Sequence, residues 1–420
     1  LTHDLFELQL TNYTAILLQY IIRISYRDTL PNYRTTSTID NLEQDALYNL
    51  QEGLKGYTND HPVQWILMLD ETASDERIVC DFKNGKVLLG FCIICLVGKG
   101  YDMKVTNLNQ IRSMAQDLHD STCEHLHHAS EVLCISIVPL KETQYHTRVV
   151  LAIPCCKKKD TSFTKVAIET IRKVWAQHFA SRYGPVCCVY TDYDVGRIRI
   201  FVALYLSNMI EPTDPLYEWV TSLHMALFDR LFSSTFRASA DMKHAGENVP
   251  RTYRRDTGFL VGDTPVTPVF LNTLLETVGV NKTTRLRYFK KEDCQNVKTA
   301  YEFICTMESK SLAASKSASI GFNDGRRYQD LYLMGLVGKL LFSPTIEHKK
   351  SIQEALTGLS TLSHLCLVLY RNGKTKFIPS QLYNAIQLIC HEYFVTVKTC
   401  QLDPNMKKLY LFQLGTLLLL

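Results

Sequence analysis

The chain has 420 residues, 46% of them hydrophobic and 21% charged, enough to bury a large core and to divide into two or three lobes. Its net charge of +4, from 46 basic and 42 acidic residues, is too small to mark a nucleic-acid partner, so any DNA surface has to be local. Fourteen cysteines fall in apolar stretches such as Cys155-Cys156, Cys187-Cys188, Cys366 and Cys390, which favours buried thiols in a reducing intracellular compartment, nuclear or cytoplasmic, over a disulfide framework. No basic start followed by an apolar run opens the chain, and Thr14 to Ile24 and the closing leucines are too short to span a bilayer, so no membrane partner is expected. Leu1 rather than a methionine comes first, as in a fragment of a longer product.

Leu5 to Tyr26 carries an apolar stripe that predicts a helix, and Ile39 to Leu54 predicts a second, capped by Ser37 or Thr38. From Val63 the pattern turns to strands: Trp65 to Leu69, ending on Asp70-Glu71, then Arg77 to Phe82 and Lys86 to Cys95 joined through Asn84-Gly85, a hairpin signal. A helix over Leu108 to Leu118 and strands over Val132 to Val138 and Arg148 to Pro154 follow. Phe163 to Phe179 spaces Val166, Ile168, Ile171, Val174 and Trp175 as a helix packed on a sheet does, and leads into the strand Val186 to Thr191, which ends on Asp192. Ile198 to Ile210 then predicts a helix and Leu223 to Phe228 a last strand. Beyond Pro268 helical periodicity dominates over Val269 to Val278, Val297 to Met307, Leu331 to Leu341, Ile352 to Tyr370 and Ser380 to Val397, with Ser309 to Gly325 reading as a mobile loop. The expected fold class is α/β: an RNase H-like mixed sheet with flanking helices, plus a large all-α lobe. The expected domains are a helical N-terminal region over 1–62, the RNase H-like core over 63–260 and the helical lobe over 261–420.

Two apolar strands that each deliver an aspartate to their ends point to phosphodiester chemistry, because carboxylates sharing divalent ions can drive it. The long helix between them makes their strands neighbours in such a sheet, so Asp70 and Asp192 are the candidate catalytic and metal-binding residues, with hard oxygen donors suited to Mg²⁺ or Mn²⁺. A second constellation, His119, Cys123, His125, His127, His128 and Cys134, matches no familiar zinc spacing and reads as a solvated histidine-rich loop. Cys92 and Cys95 form a C-x-x-C inside an apolar strand with no second pair nearby, which favours buried thiols. Lys157-Lys158-Lys159 and the group Lys243, His244, Arg251, Arg254 and Arg255 are local basic clusters without interleaved aromatics.

These blocks together resemble the fungal transposase-like proteins similar to P-element-type DDE transposases, over about Trp65 to Thr416. Leu69-Asp70-Glu71 followed by Lys86-Val87-Leu88-Leu89-Gly90-Phe91 is similar to the first family block, Thr191-Asp192-Tyr193-Asp194 to the second, and Asp241-Met242-Lys243-His244 to an Asp-x-x-His that opens a basic helix. Thr264 to Pro268, Lys290 to Val297 and Lys376 to Tyr383 resemble blocks of the helical half. The resemblance implies an RNase H-like fold with a large all-α insertion lobe, metal-dependent DNA cleavage and strand transfer through Asp70 and Asp192, and DNA contacts at Lys243, His244 and Arg251. Three departures stand against it. The family's third acid follows a Leu-Gly-Thr block, whereas Leu414-Gly415-Thr416 is followed here by Leu417 to Leu420; Tyr193 replaces a glycine; and Pro250 and Gly246 are expected to break or weaken the basic helix. The expectation is therefore a catalytically incomplete transposase-derived protein, with a non-catalytic DNA- or protein-binding platform and a decayed transposon remnant as alternatives. No local pattern suggests a bound nucleotide, a DNA target sequence or an oligomeric state.

Overall fold

The computed structural model describes residues 34, 39–58, 62–74, 78–81, 87–96, 103–104, 106–119, 126–141, 146–156, 161–192, 194–206, 209–224, 236–261, 264–290, 296–316, 322–346 and 351–402. They fall into two compact units, one ending at Thr191 and the other beginning at Asp192. The expected helix over Leu5 to Tyr26, the cap at Ser37 or Thr38 and the closing Leu-Gly-Thr block lie outside the described residues.

The first unit is built on strands β1 (Trp65–Ala73), β4 (Glu131–Pro139), β5 (Arg148–Cys155) and β6 (Val186–Thr191), side by side in the order β5-β4-β1-β6. β1 runs antiparallel to β4 and parallel to β6, and β4 antiparallel to β5, so the sheet is mixed. Trp65 to Leu69 are buried without alternation, as expected of a strand covered on both faces. Helix α1 (Leu42–Gly53) packs on β5, where Asn49 Nδ2 donates to the Val150 carbonyl at 3.0 Å. The strands β2 (Val79–Asp81) and β3 (Val87–Leu89) pair antiparallel, as the hairpin signal predicted. The short helix α2 (Ile93–Leu96) follows them. Leu88, Phe91, Met103, Met114 and Leu126 form a subsidiary core beneath helix α3 (Leu108–His119). Helices α4 (Thr161–His178) and α5 (Ala180–Tyr183) lead into β6.

The second unit opens with α6 (Val195–Tyr205), α7 (Tyr217–Ser222), strand β7 (Arg237–Ala240) and α8 (Met242–Tyr253). A small hairpin, β8 (Phe259–Val261) with β9 (Thr264–Val266), precedes α9 (Pro268–Thr277), α10 (Lys282–Phe289), α11 (Val297–Ser315), α12 (Phe322–Ile346), α13 (Ile352–Gly373) and α14 (Ser380–Leu402). Helix α14 is buried almost all round and packs on β7, α6, α8 and α13, which makes it the axis of this unit. Among the described helices, α13 alone is long and apolar enough to cross a membrane. It packs against α12 and α14, and its Ser363 Oγ donates to Gln387 Oε1 of α14 at 2.7 Å.

Several expectations are corrected. β1 does not stop at Leu69: its pairing with β6 ends there, but pairing with β4 carries it through Asp70 and Glu71 to Ala73. Cys92 and Cys95 do not sit in a strand, because Gly90 takes a positive φ of 102° and the chain turns into α2. The predicted strand at Leu223 lies mostly outside the described residues, and the strand found in this stretch is β7, whose Arg-Ala-Ser-Ala sequence carries no strand signal. Ser309 to Gly325 is largely helical: α11 runs to Ser315 and α12 starts at Phe322, since Ala, Leu and Lys favour helix there. Pro250 does not end α8, because it enters in the last turn, where the chain loses a single backbone donor, and the helix runs on to Tyr253.

Gly246 also has a packing reason. A Cβ on it would enter the buried ring of Phe342 on α12. Gly246→Ala is therefore expected to destabilise by about 1–3 kcal/mol in denaturant unfolding, overriding the usual gain of about 1 kcal/mol for replacing a helical glycine by alanine. A measured stabilisation would contradict that packing.

Candidate functional site

β1 and β6 run parallel with Leu69 opposite Thr191, and Asp70 and Asp192 are the next residues of their strands' chains. Asp70 is half-buried, and its Oδ1 accepts the Glu71 backbone N–H at 2.8 Å. Asp192 is held by its own turn: its carbonyl accepts from Asp194 N at 2.7 Å, and Asp194 caps α6 by accepting Arg197 N at 3.0 Å. That first helical turn returns the Arg197 guanidinium to Asp192, with Nη1 to Oδ1 at 3.1 Å; the arginine side chain is 3% exposed and the aspartate 31%. Tyr193 lies outside the described residues. Neither Asp194 nor Arg197 was among the sequence-predicted residues. The usable signal was an Asp three residues before an Arg at a helix start, a capping position.

Glu71 separates from Asp70, since successive strand residues point to opposite faces. Its carboxylate lies with Glu131 of β4 and Cys155 of β5, with the ligand atoms within 4.8 Å of one another. Burial, and then the Glu71 charge, push the Cys155 thiol up to about 12. Of the histidine-rich constellation, Cys123 and His125 lie outside the described residues. His128 forms an isolated β-bridge with Phe91, Cys134 is buried in β4, and among the described residues these groups do not converge on a common point.

Lys243, His244 and Arg251 all lie on α8. Asp241 caps the helix: its Oδ1 accepts Lys243 N at 2.8 Å, and its Oδ2 pairs with His244 Nδ1 at 2.6 Å. Asn248 Nδ2 donates to the His244 carbonyl and its Oδ1 accepts from Arg251, so His244, Asn248 and Arg251 share one face. Burial pulls the His244 imidazole down, but the bond to Asp241 and the charges of Asp241 and Glu247 outweigh it and hold the group above its ordinary value. Burial raises the carboxyl of Glu247 on the same helix. The His244–Asp241 contribution is thus full below pH of about 6.5, the unfolded value, and is lost as pH rises through the higher folded value. An NMR titration of His244 should give a midpoint above that of a free imidazole, falling back in Asp241→Asn; an unchanged midpoint in the variant would sink this assignment.

With this geometry in place, the solved structures that the chain resembles include the Drosophila P element transposase strand transfer complex, at a TM-score of 0.52 and 12% identity, over 96% of this chain and 90% of that one. The fold is an RNase H-like core with a large helical lobe. At that identity the likeness is one of fold. No family model and no curated protein matches the sequence. The sheet order and the parallel β1–β6 pair are the parts of this fold that bear on Asp70 and Asp192.

Proposed function

We propose that this chain is a P-element-type transposase derivative that acts on DNA, with Asp70 and Asp192 as two acids of a cleavage centre. The observation that carries the reading is the parallel register of β1 and β6, which ends on Leu69 and Thr191 immediately before the two aspartates. The P-element resemblance of the sequence blocks and the RNase H-like fold support it, and the fungal subgroup rests on the blocks of the helical half. The donor set fits Mg²⁺ or Mn²⁺ in kind, being carboxylate oxygen. Such an ion would polarise phosphate oxygens and activate a water for phosphodiester cleavage. Arg197 competes with it, because a buried guanidinium already neutralises Asp192. Cleavage is accordingly weak. Lys243, His244 and Arg251 contact DNA phosphates, and the protein works in the nucleus or cytoplasm.

The same ion pair favours a second reading, a DNA-binding platform without turnover. Two assays separate the readings. Plasmid nicking in Mn²⁺ should be slow and absent in Asp70→Ala, whereas fast turnover would overturn the weakened centre and complete inactivity would favour the platform. A mobility shift should weaken steeply as salt rises and weaken further in Lys243→Ala/Arg251→Ala. Binding indifferent to salt and to both substitutions would remove DNA as the partner.

A further inference from the structure

A separate group of soft ligands lies in the first unit and includes neither Asp70 nor Asp192. Gly90 turns the chain out of β3, and the Cys92 N–H is anchored to the His127 carbonyl at 2.9 Å. Cys92 precedes α2 and Cys95 lies within it, so one short turn brings both thiols together at 3.5 Å. Cys156, the residue after β5, closes the group: its Sγ is 3.5 Å from Cys95, and its backbone N–H donates to Cys92 Sγ at 3.2 Å. All three sulfurs lie within 4.8 Å of one another. Cys92 and Cys156 are buried, while Cys95 is partly open to solvent.

We propose that Cys92, Cys95 and Cys156 bind one thiophilic d¹⁰ cation, Zn²⁺ or Cu⁺, and that this ion staples α2 to the end of β5. The spacing fits. With metal–sulfur bonds of about 2.3 Å, sulfurs at the corners of a tetrahedron are about 3.8 Å apart and those of a trigonal plane about 4.0 Å. Carboxylate-seeking ions such as Mg²⁺ have no reason to choose three sulfurs. The N–H bond to Cys92 Sγ favours the thiolate, as it does around bound metals. On binding, three metal–sulfur bonds form, the three thiol protons pass to solvent, and with Zn²⁺ a water completes the tetrahedron. The third ligand escaped the sequence because it stands 61 residues from Cys95, as half of the Cys155-Cys156 doublet, whose other thiol points to Glu71 and Glu131 instead.

The test uses the reduced full chain, stripped by a chelator and titrated with Co²⁺. One equivalent should produce thiolate-to-cobalt charge-transfer absorption that Zn²⁺ bleaches and that Cys92→Ser/Cys156→Ser loses. Absence of that absorption, or its survival in the variant with all three cysteines changed to serine, overturns the proposal. Because those variants can misfold, the native chain supplies a second readout. Zn²⁺ should abolish alkylation of Cys95 while Cys305, half-buried on α11, keeps its reactivity. Equal labelling of Cys95 with and without Zn²⁺, or a disulfide within the trio that forms equally fast in its presence, contradicts a metal site.

Discussion

Trp65→Ala is expected to cost about 3–5 kcal/mol, among the largest effects of any single substitution in the first unit. Trp65 opens β1, is fully buried, and anchors the strand's alignment through its backbone N–H to the Pro185 carbonyl at 2.9 Å. Its ring packs on Trp175 at 4.9 Å and on Tyr57 at 5.3 Å between centroids, with the Arg148 guanidinium beyond at 5.6 Å. The indole N–H donates to the Tyr183 carbonyl at 2.9 Å. Truncation would open a cavity at the start of the β1–β6 pair and remove a ring on which both Trp175 and Tyr57 pack. Trp65→Phe separates packing from the hydrogen bond: the Tyr183 carbonyl keeps the Val63 N–H at 3.0 Å, so this variant should lose only about 1 kcal/mol. Equilibrium denaturation of both variants checks the pair of values. Equal losses would mean that the indole N–H, not the ring stack, carries the stability.

The second large effect lies in the other unit. Arg237 of β7 and Glu392 of α14 form an ion pair at 3.7 Å with side chains 1% and 0% exposed, and Glu392 Oε1 also accepts Thr396 Oγ1 at 2.5 Å. Desolvating both charges cancels much of their attraction, so the pair adds little over apolar residues of the same size. Removing one partner is different, because it strands a buried charge. Glu392→Ala should therefore cost about 3–5 kcal/mol, and Arg237→Met/Glu392→Met should recover most of it. His391 beside it already shows what a lone cation would meet: burial, then the Arg237 charge, push it down to about 3. If Glu392→Ala unfolds within about 1 kcal/mol of the parent, the pair is not the fastening between β7 and α14.

Where the fold was legible, the physics was local. Trp65 to Leu69 read as a buried strand because five consecutive apolar residues have no other economical fate, and Phe163 to Phe179 read as a helix from spacing alone. β7 was illegible for the opposite reason: Arg237 is buried although charged, and its partner Glu392 stands 155 positions later by numbering. Helix α11 hid in a segment whose serines suggested a loop, yet Ser309 sits within the helix, its Oγ donating back to the Cys305 carbonyl at 2.8 Å. At the candidate site, the aspartates were visible as acids that close two apolar runs, while Arg197 was not. An arginine five residues after an acid reveals its partner only once the turn that Asp194 caps is known.

Asp70 and Asp192 are proposed to serve one divalent-cation site. Replacing Mg²⁺ with Fe²⁺ under ascorbate and peroxide turns a bound ion into a source of local backbone cleavage. Cuts are expected at two places in the sequence, around Leu69 to Glu71 and around Thr191 to Tyr193, both suppressed by excess Mg²⁺ and both lost in Asp70→Asn. Cuts at only one of the two segments, or none that Mg²⁺ suppresses, would contradict it.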